Sequence, residues 1–220
     1  MTVREQLQQI RRELAPAGVK LVAVSKAQPL ATIREAYDAG QRAFGESRPQ
    51  ALRERVAQLP DDVEWHFIGH LQTNKVKLVV GPAHTIHSGD SLPLLRALND
   101  EAGRRQHRQR CLLQVHIARE PTKFGFLPDA LRRLSAEGFF TTLPYLQIAG
   151  LMGMATFTDD LTQIRSEFRS LRRLFDEMKQ QAFSDHSAFS ELSMGMSNDY
   201  GVAVEEGSTM VRIGTLLFTH

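Results

Sequence analysis

Cysteine is almost absent from this 220-residue chain: Cys111 stands alone, so no disulfide can form within it, which fits a reducing compartment. Long apolar runs are missing too. No stretch approaches the roughly 20 residues that a membrane-spanning helix needs. The first residues, Met1-Thr2-Val3-Arg4-Glu5-Gln6, carry no apolar signal core. Nor is there an excess of one charge: the formal net charge of +2 is too small to mark a nucleic-acid or membrane surface. Low-complexity tracts, linkers and shifts of composition are absent, and tyrosine is confined to Tyr37, Tyr145 and Tyr200. A hydrophobic share of 42% is ordinary for a globular protein and, over this length, enough for a sizeable core. The expectation is one soluble, cytoplasmic domain over residues 1–220, with neither nucleic acid nor membrane as partner.

What is present is an alternation. Val3, Leu7, Ile10 and Leu14 recur at helical spacing before Pro16-Ala17-Gly18 breaks the pattern. Leu21-Val22-Ala23-Val24-Ser25 is a short apolar run, as expected of a strand buried on both faces. Pro29 opens a helix through Ile33, Ala36 and Tyr37 that stops at Gly40. The unit then repeats, with strands predicted over 42–46, 64–68, 84–88, 111–117, 146–152, 189–194 and 210–214. Helices are predicted between them over 49–59, 74–80, 91–102, 128–136 and 199–205. The clearest helix carries Leu161, Ile164, Phe168, Leu171, Leu174 and Met178 on one stripe. Eight strands, each but the last followed by a helix, imply a parallel sheet, and this length suits a (β/α)₈ TIM barrel, typically ~250 residues. An open doubly wound sheet is the alternative, but it wants a glycine-rich turn after its first strand, and Lys26-Ala27-Gln28-Pro29 is not one.

In such a barrel the active face lies at the C-terminal ends of the strands, and phosphate binds after strands 7 and 8. Ser197 follows strand 7, and Gly214-Thr215 follow strand 8; turns of small residues there leave backbone N–H groups free for an anion. Such residues also serve simply as tight turns. Lys26 ends strand 1 on the same face and follows Val24 and Val22 by the period of two. A lysine in a partly apolar mouth has a lowered pKa and can attack an aldehyde, although a lone strand-end lysine more often reaches for solvent. Arg212 sits inside an apolar run, where a charge needs a partner. A phosphate cradle with a nucleophilic lysine suggests pyridoxal 5′-phosphate (PLP), the lysine forming a Schiff base and Arg212 facing the pyridine nitrogen.

Several stretches point the same way. Ala23-Val24-Ser25-Lys26, Phe44-Gly45-Glu46, His66-Phe67-Ile68-Gly69-His70-Leu71-Gln72-Thr73-Asn74-Lys75, Gly150-Leu151-Met152-Gly153-Met154, Leu192-Ser193-Met194-Gly195-Met196-Ser197 and Gly207-Ser208-Thr209-Met210-Val211-Arg212-Ile213-Gly214-Thr215 closely resemble the motifs of the pyridoxal phosphate homeostasis protein family, single-domain relatives of the alanine-racemase barrel. The resemblance covers nearly the whole chain in order. It implies a Schiff base at Lys26, phosphate contacts from Ser197, Gly214 and Thr215, and a pyridine-nitrogen contact from Arg212. It also places Val24, His66 and Met196 beside the cofactor. The family's Phe-Gly-Glu motif usually continues with Asn, where this chain has Ser47, so no role for that Asn is carried over. The family commonly ends in Phe-Gly, whereas this chain ends Phe218-Thr219-His220.

An arginine stays protonated, so the ring nitrogen facing it stays unprotonated and the ring is a weaker electron sink. A racemase also needs a second acid–base group on the opposite face, and in racemases of this fold it comes from an extra C-terminal domain. The chain ends five residues after Thr215, so that domain is expected to be missing, along with the dimer surface it would bring. A monomeric carrier of PLP in intracellular vitamin B6 homeostasis is therefore expected, with PLP-dependent apo-enzymes as recipients. The alternatives are a racemase-like PLP enzyme, a Schiff-base aldolase-type barrel using Glu46 as base, and a protein-interaction module. Other constellations weigh less. His66 and His70, and His84 and His87, have metal-like spacing, but the first pair spans a strand and a loop, so no metal is expected. Lys123 could add charge at the anion site or be an ordinary loop lysine. Arg104, Arg105, Arg108 and Arg110 read as a solvated helix end, and Cys111 as a core residue.

Overall fold

Eight strands, each hydrogen-bonded in parallel to the next and the last to the first, close a barrel in simple sequence order. In the computed structural model, which describes residues 1–120 and 124–218, they are β1 (Lys20–Val24), β2 (Ala43–Glu46), β3 (Glu64–Phe67), β4 (Thr85–Gly89), β5 (Gln109–Val115), β6 (Leu146–Gly153), β7 (Glu191–Ser193) and β8 (Met210–Ile213). The helices outside are α1 (Val3–Leu14), α2 (Leu30–Asp38), α3 (Pro49–Val56), α4 (Leu92–Arg104), α5 (Pro128–Ala136), α6 (Leu161–Gln181), α7 (Tyr200–Glu205) and α8 (Thr215–Phe218). No described helix is long and apolar enough to cross a membrane.

Several expected boundaries shift: β5 runs two residues earlier than 111–117, the helix expected over 49–59 ends at Val56, and three further elements change in kind or length. The segment after β3 is a 3₁₀ helix, Thr73–Leu78, rather than an α-helix. β7 shrinks to three residues, because Phe189 and Ser190 are spent in the approach to it. β8 is followed by a four-residue helix, α8, too short to leave a periodic signal.

Local chemistry sets the elements. Thr2 and Glu5 form a reciprocal capping box on α1, which turns Val3, Leu7, Ile10 and Leu14 inward. Asp160 accepts from the Thr162 and Gln163 N–H groups at the start of α6. The α6 stripe of Ile164, Phe168, Leu171, Leu174 and Met178 is buried as expected, but Leu161, in the first turn, is 56% exposed.

Strand residues alternate between two environments. Leu21, Ala23, Phe44, Trp65, Phe67, Ile86, Cys111, Leu113, Leu192, Val211 and Ile213 face the helices and join one continuous core. Inside the barrel the apolar contacts are few: Val22, Ala43 and Met210 form one small cluster, and Leu112, Ala149 and Met152 another. The remaining interior includes the buried polar groups His66, His87, Ser193 and Arg212.

Register between β5 and β6 shifts by one residue, from Cys111–Ile148 to Leu112–Gly150. Gly150 takes up the irregularity at φ 149°, and a Cβ there would lie 1.7 Å from the Glu191 carbonyl oxygen. Gly150→Ala is expected to lose about 3 kcal/mol of stability through backbone strain and displacement of β7. Urea denaturation measures this; an unchanged midpoint would contradict the assigned constraint.

Candidate functional site

Three turns meet at the C-terminal rim of the barrel. The β1–β8 register sets Val22 beside Arg212 and Ala23 beside Ile213, so Val24 and Gly214 are the next neighbours. A Cβ on Gly214 would sit 3.2 Å from Val24 Cβ and 3.3 Å from its carbonyl oxygen, so the small residue lets these strand ends close. Two residues beyond Val24, Lys26 stands exposed in a turn whose next residue, Ala27, has φ 63°. The expected apolar setting for Lys26 is thus replaced by an open one.

The turn after β7 lies against the one after β8: the Leu216 N–H donates to Ser197 Oγ at 3.3 Å. Ser197 is half-buried, Thr215 is exposed, and Met196 at the rim is 36% exposed. Gly195 makes this turn possible, with φ 97° and no room for a Cβ, which would meet Ala203 Cβ at 2.6 Å. The Gly195 carbonyl accepts from the Arg212 N–H, and Asp199 Oδ1 accepts from the Met196 N–H. The structure therefore gathers Val24, Lys26, Met196, Ser197, Gly214 and Thr215 at one rim.

Arg212 lies beneath that rim, 4% exposed. Its Nη1 donates to Ser193 O at 2.9 Å and Ser193 Oγ at 2.5 Å, and its Nη2 donates to Gly153 O at 3.1 Å. Burial pulls the guanidinium down to about 10, opposed by Asp199, so it remains charged at neutral pH. Among the described residues these three bonds leave N–H donors on Nη2 and Nε for a ligand.

His66 is not at the rim. It is fully buried in the barrel interior, with Nδ1 2.9 Å from His87 Nε2, and His87 Nδ1 is 3.1 Å from Ser193 Oγ. Two residues separate it from Arg212, so a direct cofactor contact does not follow from its position. The period of two could place His66, His87 and Ser193 inside the barrel, but only the closed topology joins them.

The opposite, N-terminal mouth is closed by charge. Lys20 pairs with Glu64, and Arg110 pairs with Glu191 at 2.6 Å and with Gln147 at 3.1 Å. Arg110 is thus a strand residue of the barrel floor, whereas Arg104 and Arg105 hold Glu101 at the end of α4. Glu64, His66 and His84 present ligand-type atoms within 4.8 Å of one another, a grouping that crosses both of the histidine pairs suggested by spacing.

Glu46, 2% exposed, accepts from Ser25 Oγ at 2.9 Å, and burial raises its pKa. His70 pairs with Asp90 at 2.9 Å and stacks on Phe124. The Ser47 carbonyl packs against Gly69, where a Cβ would come within 2.1 Å. Cys111 is fully buried in the core, which pushes its thiol up to about 12. Lys123 lies outside the described residues.

Fold and rim together define a barrel of the alanine racemase N-terminal domain class, and the family model described as "Alanine racemase, N-terminal domain" matches residues 2–220. A pyridoxal phosphate homeostasis protein of Aquifex aeolicus is 39% identical over 96% of this chain and 93% of its own length. One from Pasteurella multocida is 37% identical over 99% and 97%. The structure of PipY from Synechococcus elongatus with PLP bound superposes with TM-score 0.86 at 39% identity, covering 98% of this chain and 99% of that one. The alanine racemase of Bartonella henselae, at 12% identity and TM-score 0.76 over 100% of this chain and 58% of that one, shares the fold. The chain belongs to the pyridoxal phosphate homeostasis protein family.

Burial holds His66 and His87 below their ordinary value of 6.5, and partial burial does the same for the more exposed His84; neighbouring cations add to the shift, and Glu64 opposes it at His66 and His84. As pH falls, the unfolded chain therefore binds protons before the folded one. The stability conferred by the neutral rings is complete above pH 6.5 and is lost as pH drops through the lower folded values. Unfolding free energy, followed in urea from about pH 7 to 5, is expected to decline, and His87→Asn to flatten the decline. A level profile in the native protein would contradict the neutral buried histidines.

Proposed function

We propose that this protein holds pyridoxal 5′-phosphate at the rim of its barrel and serves in PLP homeostasis rather than as a dedicated catalyst. The observation that carries the reading is the convergence of Lys26, the Ser197–Leu216 contact and the buried Arg212 on one mouth. The residues fit the group. Ser197 and the Gly214–Thr215 turn offer small, hydrogen-bonding surroundings for a phosphate, and the free guanidinium donors suit an unprotonated ring nitrogen. Lys26, exposed two residues beyond Val24, would hold the group through its ε-amine, the nucleophile that an aldehyde cofactor requires. When bound, the cofactor contributes an electrophilic aldehyde that can be stored and passed on.

The rim argues for holding over turnover. A racemase needs a second acid–base group, and no tyrosine is placed to be one: Tyr37 donates to Asp62 at 2.8 Å, Tyr200 donates to Glu13, and Tyr145 precedes β6 at the N-terminal side of the barrel. The names of the relatives and the PLP-bound PipY structure support the same reading. Within it, the protein acts in the cytoplasm as a monomer, and PLP-dependent apo-enzymes receive the cofactor.

Addition of PLP to the purified protein is expected to give a visible absorbance band that borohydride removes, with the reduced adduct mapped to Lys26 by mass spectrometry. An adduct confined to another lysine would overturn the assignment. Arg212→Ala and Ser197→Ala are each expected to weaken retention by at least about tenfold, the value of a charge-assisted hydrogen bond or more. Unchanged affinity in both would remove them from the site.

A further inference from the structure

The polar column inside the barrel has a direction. Arg212 can only donate, so Ser193 Oγ accepts its Nη1–H at 2.5 Å. The serine hydroxyl proton then needs an acceptor, and His87 Nδ1, at 3.1 Å, is the one within reach. A neutral His87 with a bare Nδ1 carries its proton on Nε2, which points at His66 Nδ1, 2.9 Å away. By the same step His66 carries its proton on Nε2. That nitrogen has no hydrogen-bond partner and is fully buried, and the nearest carboxylate is that of Glu64 at 3.9 Å. Every hydrogen position follows from the one donor that cannot reverse.

We propose that His87 and His66 are positioning residues for Arg212, forming with Ser193 a one-way chain of donors that runs down the barrel toward Glu64 and fixes which guanidinium edge faces the rim. The inference rests on the reading of Arg212 as the cofactor's ring contact. Arginine does not release its proton at neutral pH, so the column orients and does not conduct. A fixed tautomer at His87 keeps Ser193 Oγ an acceptor toward Nη1; Nη1 is thereby occupied, and the donors on Nη2 and Nε are the ones presented upward. Reversing the chain would turn a hydrogen from His87 toward Ser193, whose own proton would then have no acceptor. The same tautomer turns a proton, not a lone pair, toward Glu64 and His84, and Lys20 already pairs with Glu64. The Glu64–His66–His84 grouping is therefore an end of the chain rather than a ligand set.

Two substitutions separate the chain from mere packing. His87→Asn keeps an acceptor where Nδ1 stands; His87→Leu fills the space without one. In cofactor-free protein, ¹⁵N spectra of the histidines at about pH 7 are expected to show both rings neutral with the proton on Nε2. The Arg212 Nε–H signal is expected to move in His87→Leu and to stay in place in His87→Asn. In PLP-loaded protein, His87→Leu is expected to weaken retention by about tenfold and shift the visible band, while His87→Asn stays near native. In an Arg212→Gln background, His87→Leu is expected to add nothing further.

A proton on His87 Nδ1, additive effects of His87→Leu and Arg212→Gln, or equal losses in two folded His87 variants would overturn the proposal. So would zinc ion shifting the His66 and His84 signals together, since that requires a bare Nε2. If the native protein forms no adduct at Lys26, the cofactor reading fails, and the cofactor-free spectra still decide whether the column positions Arg212.

Discussion

The buried guanidinium of Arg212 is the constraint around which the barrel interior is arranged. An arginine taken out of water must be met by acceptors, or the fold loses several kcal/mol. Here the acceptors come from neighbouring elements: the Ser193 carbonyl and hydroxyl from β7, and the Gly153 carbonyl from the end of β6. Each then imposes a further requirement. The hydroxyl needs somewhere to send its proton, which recruits His87 from β4 and His66 from β3. Gly153 lacks a side chain where a Cβ would lie 2.7 Å from Leu171 of α6, so β6 packs closely under the helix while its carbonyl turns to the arginine. One charge thus ties five strands together through polar contacts, in an interior whose two apolar clusters are small.

The two mouths divide the remaining work. At the N-terminal side, ion pairs between residues in the first two positions of strands, Lys20–Glu64 and Arg110–Glu191, close the floor. At the C-terminal side the turns after β1, β7 and β8 carry glycine and short polar residues, and side chains such as Lys26 and Thr215 stay exposed. Outside the barrel, Arg165 and Arg169 both pair with Glu206, tying α6 to the end of α7, while more exposed pairs such as Arg42–Asp62 contribute little each. Stability is carried by the helix-facing core, which leaves the rim free to be shaped for binding.

Much of this was legible in the sequence because the periodicities were clean. Short apolar strands alternating with amphipathic helices, above all the α6 stripe, gave the barrel, and the barrel gave the rim an address for Lys26, Ser197 and Gly214-Thr215. What stayed hidden depended on closure. His66, His87 and Ser193 are far apart in sequence and share no spacing, so their column exists only once β3, β4 and β7 surround one axis. The histidine spacings that could be read, 66 with 70 and 84 with 87, pair residues that the fold separates: His70 goes to Asp90 at the rim, and His84 to the floor. The setting of Lys26, open rather than partly apolar, differs for another reason. The period of two holds only within β1, which ends at Val24, so the turn that follows owes it nothing.

On the proposed reading, the same arginine that organises the interior would also limit the chemistry at the rim. A group that stays charged above the column and offers only donors favours an acceptor nitrogen in whatever ring it meets. A ring whose nitrogen is kept unprotonated withdraws electrons weakly, so bonds to the carbon bearing the amine are not strongly activated. Replacing the arginine by a carboxylate would demand the opposite of every partner: Ser193 would have to donate upward, His87 Nδ1 would need to carry a proton, and the Gly153 carbonyl would face a like charge. The restraint on reactivity that the proposed reading assigns to Arg212 would therefore not be a property of one residue that could be exchanged alone. It is distributed over β3, β4, β6, β7 and β8, and a protein built this way is suited to keeping an aldehyde in store.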